Sequence, residues 1–214
     1  PTIFPAVPRV FEKIFANVQG GVLSAPGLKG SLGRWAFGLF DEYVAAREAG
    51  KPYDSLGFAL AKRLVFSKVK AALEEKLGGR LELFVSGGAP LPRKIGYFFE
   101  LVGITVCEGY GLTETSAAST INLPGSIRIG TVGKPFPGVE LKIAEDGEIL
   151  IRGPHIMKGY YRNEAASAEV LRPDGFFHTG DIGELDKDGF VRITDRKKDL
   201  IKTSGGKYCA PQNL

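Results

Sequence analysis

Apolar positions in the first part of the chain recur at three- and four-residue intervals, and after about Pro124 they alternate instead. The first period belongs to amphipathic helices and the second to strands with one buried face. Ala36 to Ala49 carries the helical spacing and stops at Gly50, just before Pro52. Leu60, Leu64, Val65, Ala72, Leu73 and Leu77 predict another amphipathic helix, closed by Gly78 and Gly79. The Gly/Pro/Ser stretch from Gly20 to Gly33 predicts an interruption in the otherwise helical opening residues 1–60.

Leu81 to Val85 reads as a buried strand, and Pro92 opens a helix that reaches about Leu101 and ends at Gly103. Ile104 to Cys107 is a second short strand. Strand, helix, strand at this spacing predicts a parallel βαβ unit with a right-handed crossover. Both strand ends then lie at one sheet edge. Ser86-Gly87-Gly88-Ala89-Pro90 follows the first, and Glu108-Gly109-Tyr110-Gly111-Leu112-Thr113-Glu114-Thr115 follows the second. Ligands of open α/β sheets bind beyond the carboxyl ends of the strands, so two polar, glycine-containing loops there form a candidate nucleotide site.

In the alternating region, Val139 to Ala144 and Glu148 to Arg152 flank Asp146-Gly147, a hairpin signal. Phe176 to Leu185 and Phe190 to Thr194 flank Asp188-Gly189 in the same way. A shorter hairpin runs from Leu200 to Tyr208 around Ser204-Gly205-Gly206. The expected fold is therefore α/β. A βαβ parallel-sheet subdomain occupies residues 1–124, and a small antiparallel, barrel-like β subdomain occupies 125–195. Residues 196–214 form a connector that begins a further domain.

Composition narrows the picture. The 214 residues are 43% hydrophobic and 24% charged, which a packed soluble fold requires and a disordered chain lacks. No apolar run approaches the roughly 20 residues of a membrane helix. The 29 glycines, about twice ordinary usage, point to many tight turns and to backbone that approaches ligands. Cys107 and Cys209 are too few for a disulfide framework and favour a reducing, cytoplasmic setting. The chain opens Pro1-Thr2-Ile3 and its single methionine is Met157, so it reads as a piece of a longer polypeptide. The six cations between Arg192 and Lys207 face only Asp195 and Asp199, an excess equal to the net charge of +4. That run is either a solvated loop or a site for a phosphate-bearing ligand. It is small for a nucleic-acid face and has few interleaved aromatics.

Single residues carry chemistry of the same kind, each beside a plainer role. Thr113 and Glu114 can hold a phosphate oxygen and a hard cation such as Mg²⁺, or simply cap a helix. Tyr110, between two glycines, can offer its face to a base or sit in the core. Asp181, in His178-Thr179-Gly180-Asp181, can accept two ribose hydroxyls or close an Asx turn. Arg196 can reach a ribose or phosphate oxygen, or pair with Asp195 or Asp199. His155 and His178 lack a metal partner or a triad setting and read as structural.

The order of these segments resembles the adenylate-forming enzyme superfamily. The carriers are V-S-G-G-A-P-L at 85–91, Y-G-L-T-E-T at 110–115, F-H-T-G-D at 177–181 and D-R-K-K-D-L-I-K-T-S-G-G-K at 195–207. P-A-V-P-R-V-F-E-K-I at 5–14, A-R-E-A-G-K-P at 46–52 and L-V-F-S-K at 64–68 are similar to the long-chain fatty acyl-CoA synthetase branch. The resemblance implies ATP-dependent activation of a fatty acid to an acyl-adenylate with release of pyrophosphate. Transfer to coenzyme A with release of AMP would follow. It implies that Ser86, Gly87, Gly88, Ala89 and Pro90 line the adenine pocket, with Tyr110 stacked on the base and Gly111 beside it. Thr113 would contact a phosphate, Glu114 would hold Mg²⁺, and Asp181 and Arg196 would bind the ribose. Lys198 matches the family's hinge, and Gly205 and Gly206 match a loop that approaches the site during thioester formation.

The family's phosphate-gripping loop would precede residue 1 and its C-terminal lysine would follow residue 214. The piece is therefore expected to form little acyl-adenylate alone, since such groups supply much of the charge stabilisation in phosphoryl chemistry. An aryl- or amino-acid-activating relative, or a non-catalytic nucleotide-binding module, are the competing readings. Acyl-chain length preference, a homodimer and a peripheral membrane contact stay open, and no amphipathic anchor is evident.

Overall fold

The computed structural model describes residues 1–197 and the backbone of the short strands at 201–202 and 208–209. The chain forms two compact units, Pro1–Cys107 and Glu108–Leu214.

The first unit opens with a strand the sequence pattern does not announce. β1 (Ile3–Ala6) pairs in parallel with β2 (Leu83–Ser86), Ile3 opposite Leu83 and Ala6 opposite Ser86. β1 is short, largely exposed and contains Pro5, which an edge strand tolerates. Between the two strands run α1 (Pro8–Leu23), α2 (Gly27–Glu48), α3 (Leu56–Ala61), a π turn (Lys62–Phe66) and α4 (Ser67–Lys76). The interruption expected from Gly20 to Gly33 thus shrinks to the few residues between α1 and α2. Gly33 is buried, and a Cβ there would lie 2.4 Å from Val22 Cγ1. The glycine lets the two helices approach instead of ending either. The single helix expected around Leu60 to Leu77 is α3 and α4 joined by the π turn. Ser55 caps α3, its Oγ accepting the Phe58 N–H at 3.1 Å.

The core of this unit is aromatic. Phe11, Phe40, Phe84, Phe98 and Phe99 are almost wholly buried. Their rings meet edge to face, Phe11 with Phe84 at 5.2 Å and Phe15 with Phe98 at 5.0 Å between centroids. α5 (Arg93–Val102) supplies Phe98 and Phe99 and ends at Gly103, as the sequence predicts. Tyr43 of α2 donates to Glu100 of α5 at 2.6 Å. Burial, then the Glu100 hydrogen bond, pushes that phenol above the ordinary tyrosine range.

β3 (Thr105–Leu112) follows α5 and is β2's neighbour in the strand order β1-β2-β3-β4-β5. It is longer than the strand expected at Ile104 to Cys107. Its residues from Glu108 onward belong to the second unit. There β3 turns back through a 3₁₀ turn (Thr113–Thr115) into the antiparallel β4 (Ala117–Ile121), which pairs with β5 (Lys134–Pro135).

The alternating region forms a four-stranded antiparallel sheet, as its period requires. β6 (Glu140–Ile143), β7 (Glu148–Arg152), β8 (Phe177–Leu185) and β9 (Val191–Arg196) lie in chain order. The short helix α6 (Glu164–Val170) lies between β7 and β8. Backbone bonds from Val132 N–H to Val191 O and from Val191 N–H to Gly133 O, each 2.8 Å, tie the segment before β5 to β9. Tyr110, Ile149, Ile151 and Val191 form the buried cluster, with Leu112, Val132 and Ile193 among those packed on it. β10 (Ile201–Lys202) and β11 (Tyr208–Cys209) pair antiparallel, the expected third hairpin. Its connecting residues, Gly205 and Gly206 included, lie outside the described residues, as does Lys198.

Candidate functional site

The second unit brings Tyr110, Asp181 and Arg196 together. Asp181 and Arg196 are direct cross-strand partners of β8 and β9. Arg196 Nε lies 3.3 Å from Asp181 Oδ1. Tyr110 Oη donates to the other carboxylate oxygen at 2.7 Å. Asp181 is 6% exposed, whereas the Arg196 side chain is 70% exposed. A buried carboxylate is thus held by two donors, one buried and one open to solvent. An ionised carboxylate has about four lone-pair sites, so Asp181 retains capacity for further hydroxyl donors.

Tyr110 does not sit in a loop, as the sequence spacing predicts, but in β3, with its ring in the core cluster. Burial, then the facing Asp181 carboxylate, pushes its phenol above the ordinary tyrosine range. Gly111 also belongs to β3, where the β3–β4 register shifts. A Cβ on it would fall 1.9 Å from Ala117 O, so the close approach of β4 requires glycine.

Thr113 and Glu114 form a second group, in the 3₁₀ turn rather than in an open loop. Buried Thr115 fixes that turn. Its Oγ1 accepts the Leu112 N–H at 2.9 Å and lies 2.8 Å from Ala117 O. Glu114 Oε1 accepts the Tyr160 phenol at 2.8 Å, and its backbone oxygen accepts Met157 N–H at 2.8 Å. The Glu114 hydrogen bond, then burial, raises the Tyr160 pKa.

Ser86, Gly87, Gly88, Ala89 and Pro90 belong to the first unit. Ser86 is 1% exposed, and among the described residues its hydroxyl has no hydrogen-bond partner. An orphaned buried hydroxyl at a strand end is costly unless something completes it. Gly88, Ala89 and Pro90 are exposed.

The sequence reading missed a carboxylate beside the site. Glu148, on β7, is 4% exposed. It accepts the Gly180 N–H at 2.9 Å and the Lys197 ammonium at 2.9 Å, with His178 Nδ1 at 3.2 Å. Lys197 also reaches Asp146 at 2.7 Å. Burial pulls the Glu148 pKa upward, but the Lys197, Gly180 and His178 hydrogen bonds outweigh it and the net direction is down. The hydrogen bonds to Asp146, then Glu148, hold the Lys197 pKa above the ordinary lysine value. In the basic run, Arg192, Arg196 and Lys197 each have an acidic partner. The described part of that run is therefore a paired face.

Among the described residues no cluster of three or more His, Cys, Asp or Glu side chains is arranged to hold a metal. Glu114 is a single carboxylate. A Mg²⁺ ion carried by a nucleotide needs no more from the protein, since phosphates and waters complete its octahedron. His155 Nε2 lies 2.9 Å from Ser119 Oγ. His178 lies against the Glu148 carboxylate, so each ring has a polar partner that the sequence spacing does not show. Cys107 is buried, and burial raises its thiol pKa, as befits a packing residue.

Residues 1–161 match the family described as AMP-binding enzyme. Over its whole length the chain is 45% identical to a long-chain-fatty-acid–CoA ligase of Mycobacterium bovis and 38% identical to long chain acyl-CoA synthetase 3 of Arabidopsis thaliana. It covers 35% and 33% of those proteins, so it spans about a third of the length of the curated relatives it matches. Among solved structures, it resembles O-succinylbenzoate coenzyme A synthetase from Bacillus subtilis in complex with ATP and magnesium ion. The TM-score is 0.58 at 32% identity, over 68% of this chain and 33% of that one.

Proposed function

The chain belongs to the AMP-binding enzyme family, and from that premise we propose that it is the nucleotide-holding part of a long-chain fatty-acid–CoA ligase. The reaction joins a fatty-acid carboxylate to the α-phosphate of ATP, releases pyrophosphate, and passes the acyl group to coenzyme A with release of AMP. The observation that carries the reading is Asp181, a buried carboxylate oriented by Tyr110 and Arg196 with acceptor capacity to spare. A ribose diol supplies two donors at the spacing of one carboxylate, and a fixed acceptor holds it without reorganisation.

The remaining roles follow the same chemistry. Arg196, exposed and always charged, reaches a ribose or phosphate oxygen beside Asp181. Tyr110 shapes the wall against the base, with its hydroxyl committed to Asp181. Gly111, where β4 comes closest, keeps that wall thin. Glu114 holds a nucleotide-borne Mg²⁺ ion and Thr113 donates to a phosphate. The Mg²⁺ ion supplies charge neutralisation on the phosphates when bound. In the first unit the buried Ser86 hydroxyl, half-buried Gly87 and the exposed Gly88, Ala89 and Pro90 suit hydrogen bonding to a base edge. Lys198 is assigned the hinge, and Gly205 and Gly206 the coenzyme A step, by family resemblance.

The acyl specificity is read from the relatives, since the fatty-acid ligases are the more similar and match over the whole chain. An aryl-acid substrate is the second reading, favoured by the likeness to the O-succinylbenzoate enzyme. Pyrophosphate exchange separates them. It is measured on a polypeptide that carries this chain together with the flanking segments its relatives have. Exchange with palmitate well above that with benzoate or amino acids supports the first reading, and the reverse order overturns it. Among the described residues no helix is long and apolar enough to cross a membrane.

A further inference from the structure

Glu148 lies in none of the motifs that point to the nucleotide, yet its carboxylate touches both flanks of the Asp181–Arg196 pair. Oε1 accepts the N–H of Gly180, the residue before Asp181. Oε2 accepts the ammonium of Lys197, the residue after Arg196. The backbone closes the same link, Lys197 N–H donating to Gly180 O at 2.8 Å.

The sheet pairs Asp181 with Arg196 directly, but its ladders are interrupted close by. The β7–β8 register shifts between Glu148 and Leu150, and the β8–β9 register shifts between Ile182 and Gly183. A bulge interrupts the ladder and leaves local strand spacing to other contacts. Among the described residues, Arg196, with its side chain 70% exposed, has one carboxylate to orient it. A charge buried as deeply as Glu148 is costly without its partners, so it resists letting Gly180 and Lys197 separate.

We propose that Glu148 is a positioning residue for the Asp181–Arg196 pair, fixing the distance between carboxylate and guanidinium by binding Gly180 and Lys197 at once. That this distance serves a ribose rests on the nucleotide reading above. His178 and Asp146 complete the clamp, His178 from β8 and Asp146 from the β6–β7 turn.

The test compares the unaltered chain with Glu148→Gln, which keeps the volume and loses the charge, and with Lys197→Met, which removes one partner. Two quantities are read: amide hydrogen exchange residue by residue, and the Kd for AMP, with Asp181→Ala alongside. Exchange at Gly180 and Lys197 is expected to rise tenfold or more in Glu148→Gln while Leu150 and Ile193 stay protected, and the AMP Kd to rise at least tenfold. Unchanged local exchange, a uniform rise through the unit, or local loosening with unaltered AMP affinity overturns the proposal. If the unaltered chain does not bind AMP, or Asp181→Ala leaves binding intact, the nucleotide reading fails and the exchange pattern alone decides the positioning role. If Glu148→Gln does not fold, Lys197→Met decides by the same criteria.

Discussion

Tyr110 of β3 donates its phenol to the Asp181 carboxylate of β8 at 2.7 Å, across 71 positions of sequence. The bond joins a core side chain to the residue assigned to the ribose. Tyr110→Phe removes a donor from a buried carboxylate, and bonds to charged groups contribute about 1.5–3 kcal/mol. A loss of that size in urea denaturation is expected. A change below about 0.5 kcal/mol would show that the bond contributes nothing to the fold.

Gly111 tests the close approach of β4. A Cβ there meets Ala117 O, a backbone atom with no rotamer to yield. Gly111→Ala is expected to destabilise the chain by about 3 kcal/mol, the upper end of ordinary overpacking. Unfolding at the same urea concentration as the unaltered chain would contradict the β3–β4 register.

The aromatic core of the first unit predicts a contrast. Phe98→Ala empties a fully buried site and should cost about 3–5 kcal/mol. Leu56→Ala, at a side chain 93% exposed, should stay within about 0.5 kcal/mol. Equal effects in thermal denaturation would place the core elsewhere.

Acid should reveal the Glu148 clamp. Its pKa is lowered in the folded state, burial being outweighed by Lys197, Gly180 and His178. A depressed carboxylate contributes stability above its unfolded pKa, about 4.3 for glutamate, and loses that contribution as pH falls through the folded value. Stability should therefore fall below about pH 4.3, and Glu148→Gln should flatten this part of the curve. An unchanged acid limb in the variant would show that other carboxylates carry it.

Much of the second unit is legible in sequence because its signals are local. Asp146-Gly147 and Asp188-Gly189 sit at the turns that join β6 to β7 and β8 to β9. The motif residues Tyr110, Asp181 and Arg196 do converge. What was not legible depends on distant partners. Glu148 acquires its role from Lys197, 49 positions away, and from a bulge that no spacing reveals. Gly33 looks like a helix breaker until Val22 is seen against it. Tyr110 and Gly111 look like loop residues because glycine is a poor strand former, yet β4 needs that glycine to pair. β1 carries too few residues and too little burial to show a period.

Calorimetric titration of the chain with a non-hydrolysable long-chain acyl-adenylate analogue, with Asp181→Ala in parallel, tests most directly whether these residues hold an adenosine. Saturable binding that the substitution weakens tenfold or more, about 1.4 kcal/mol, is the expected result. Binding indifferent to the substitution, or none by a folded chain, would contradict it.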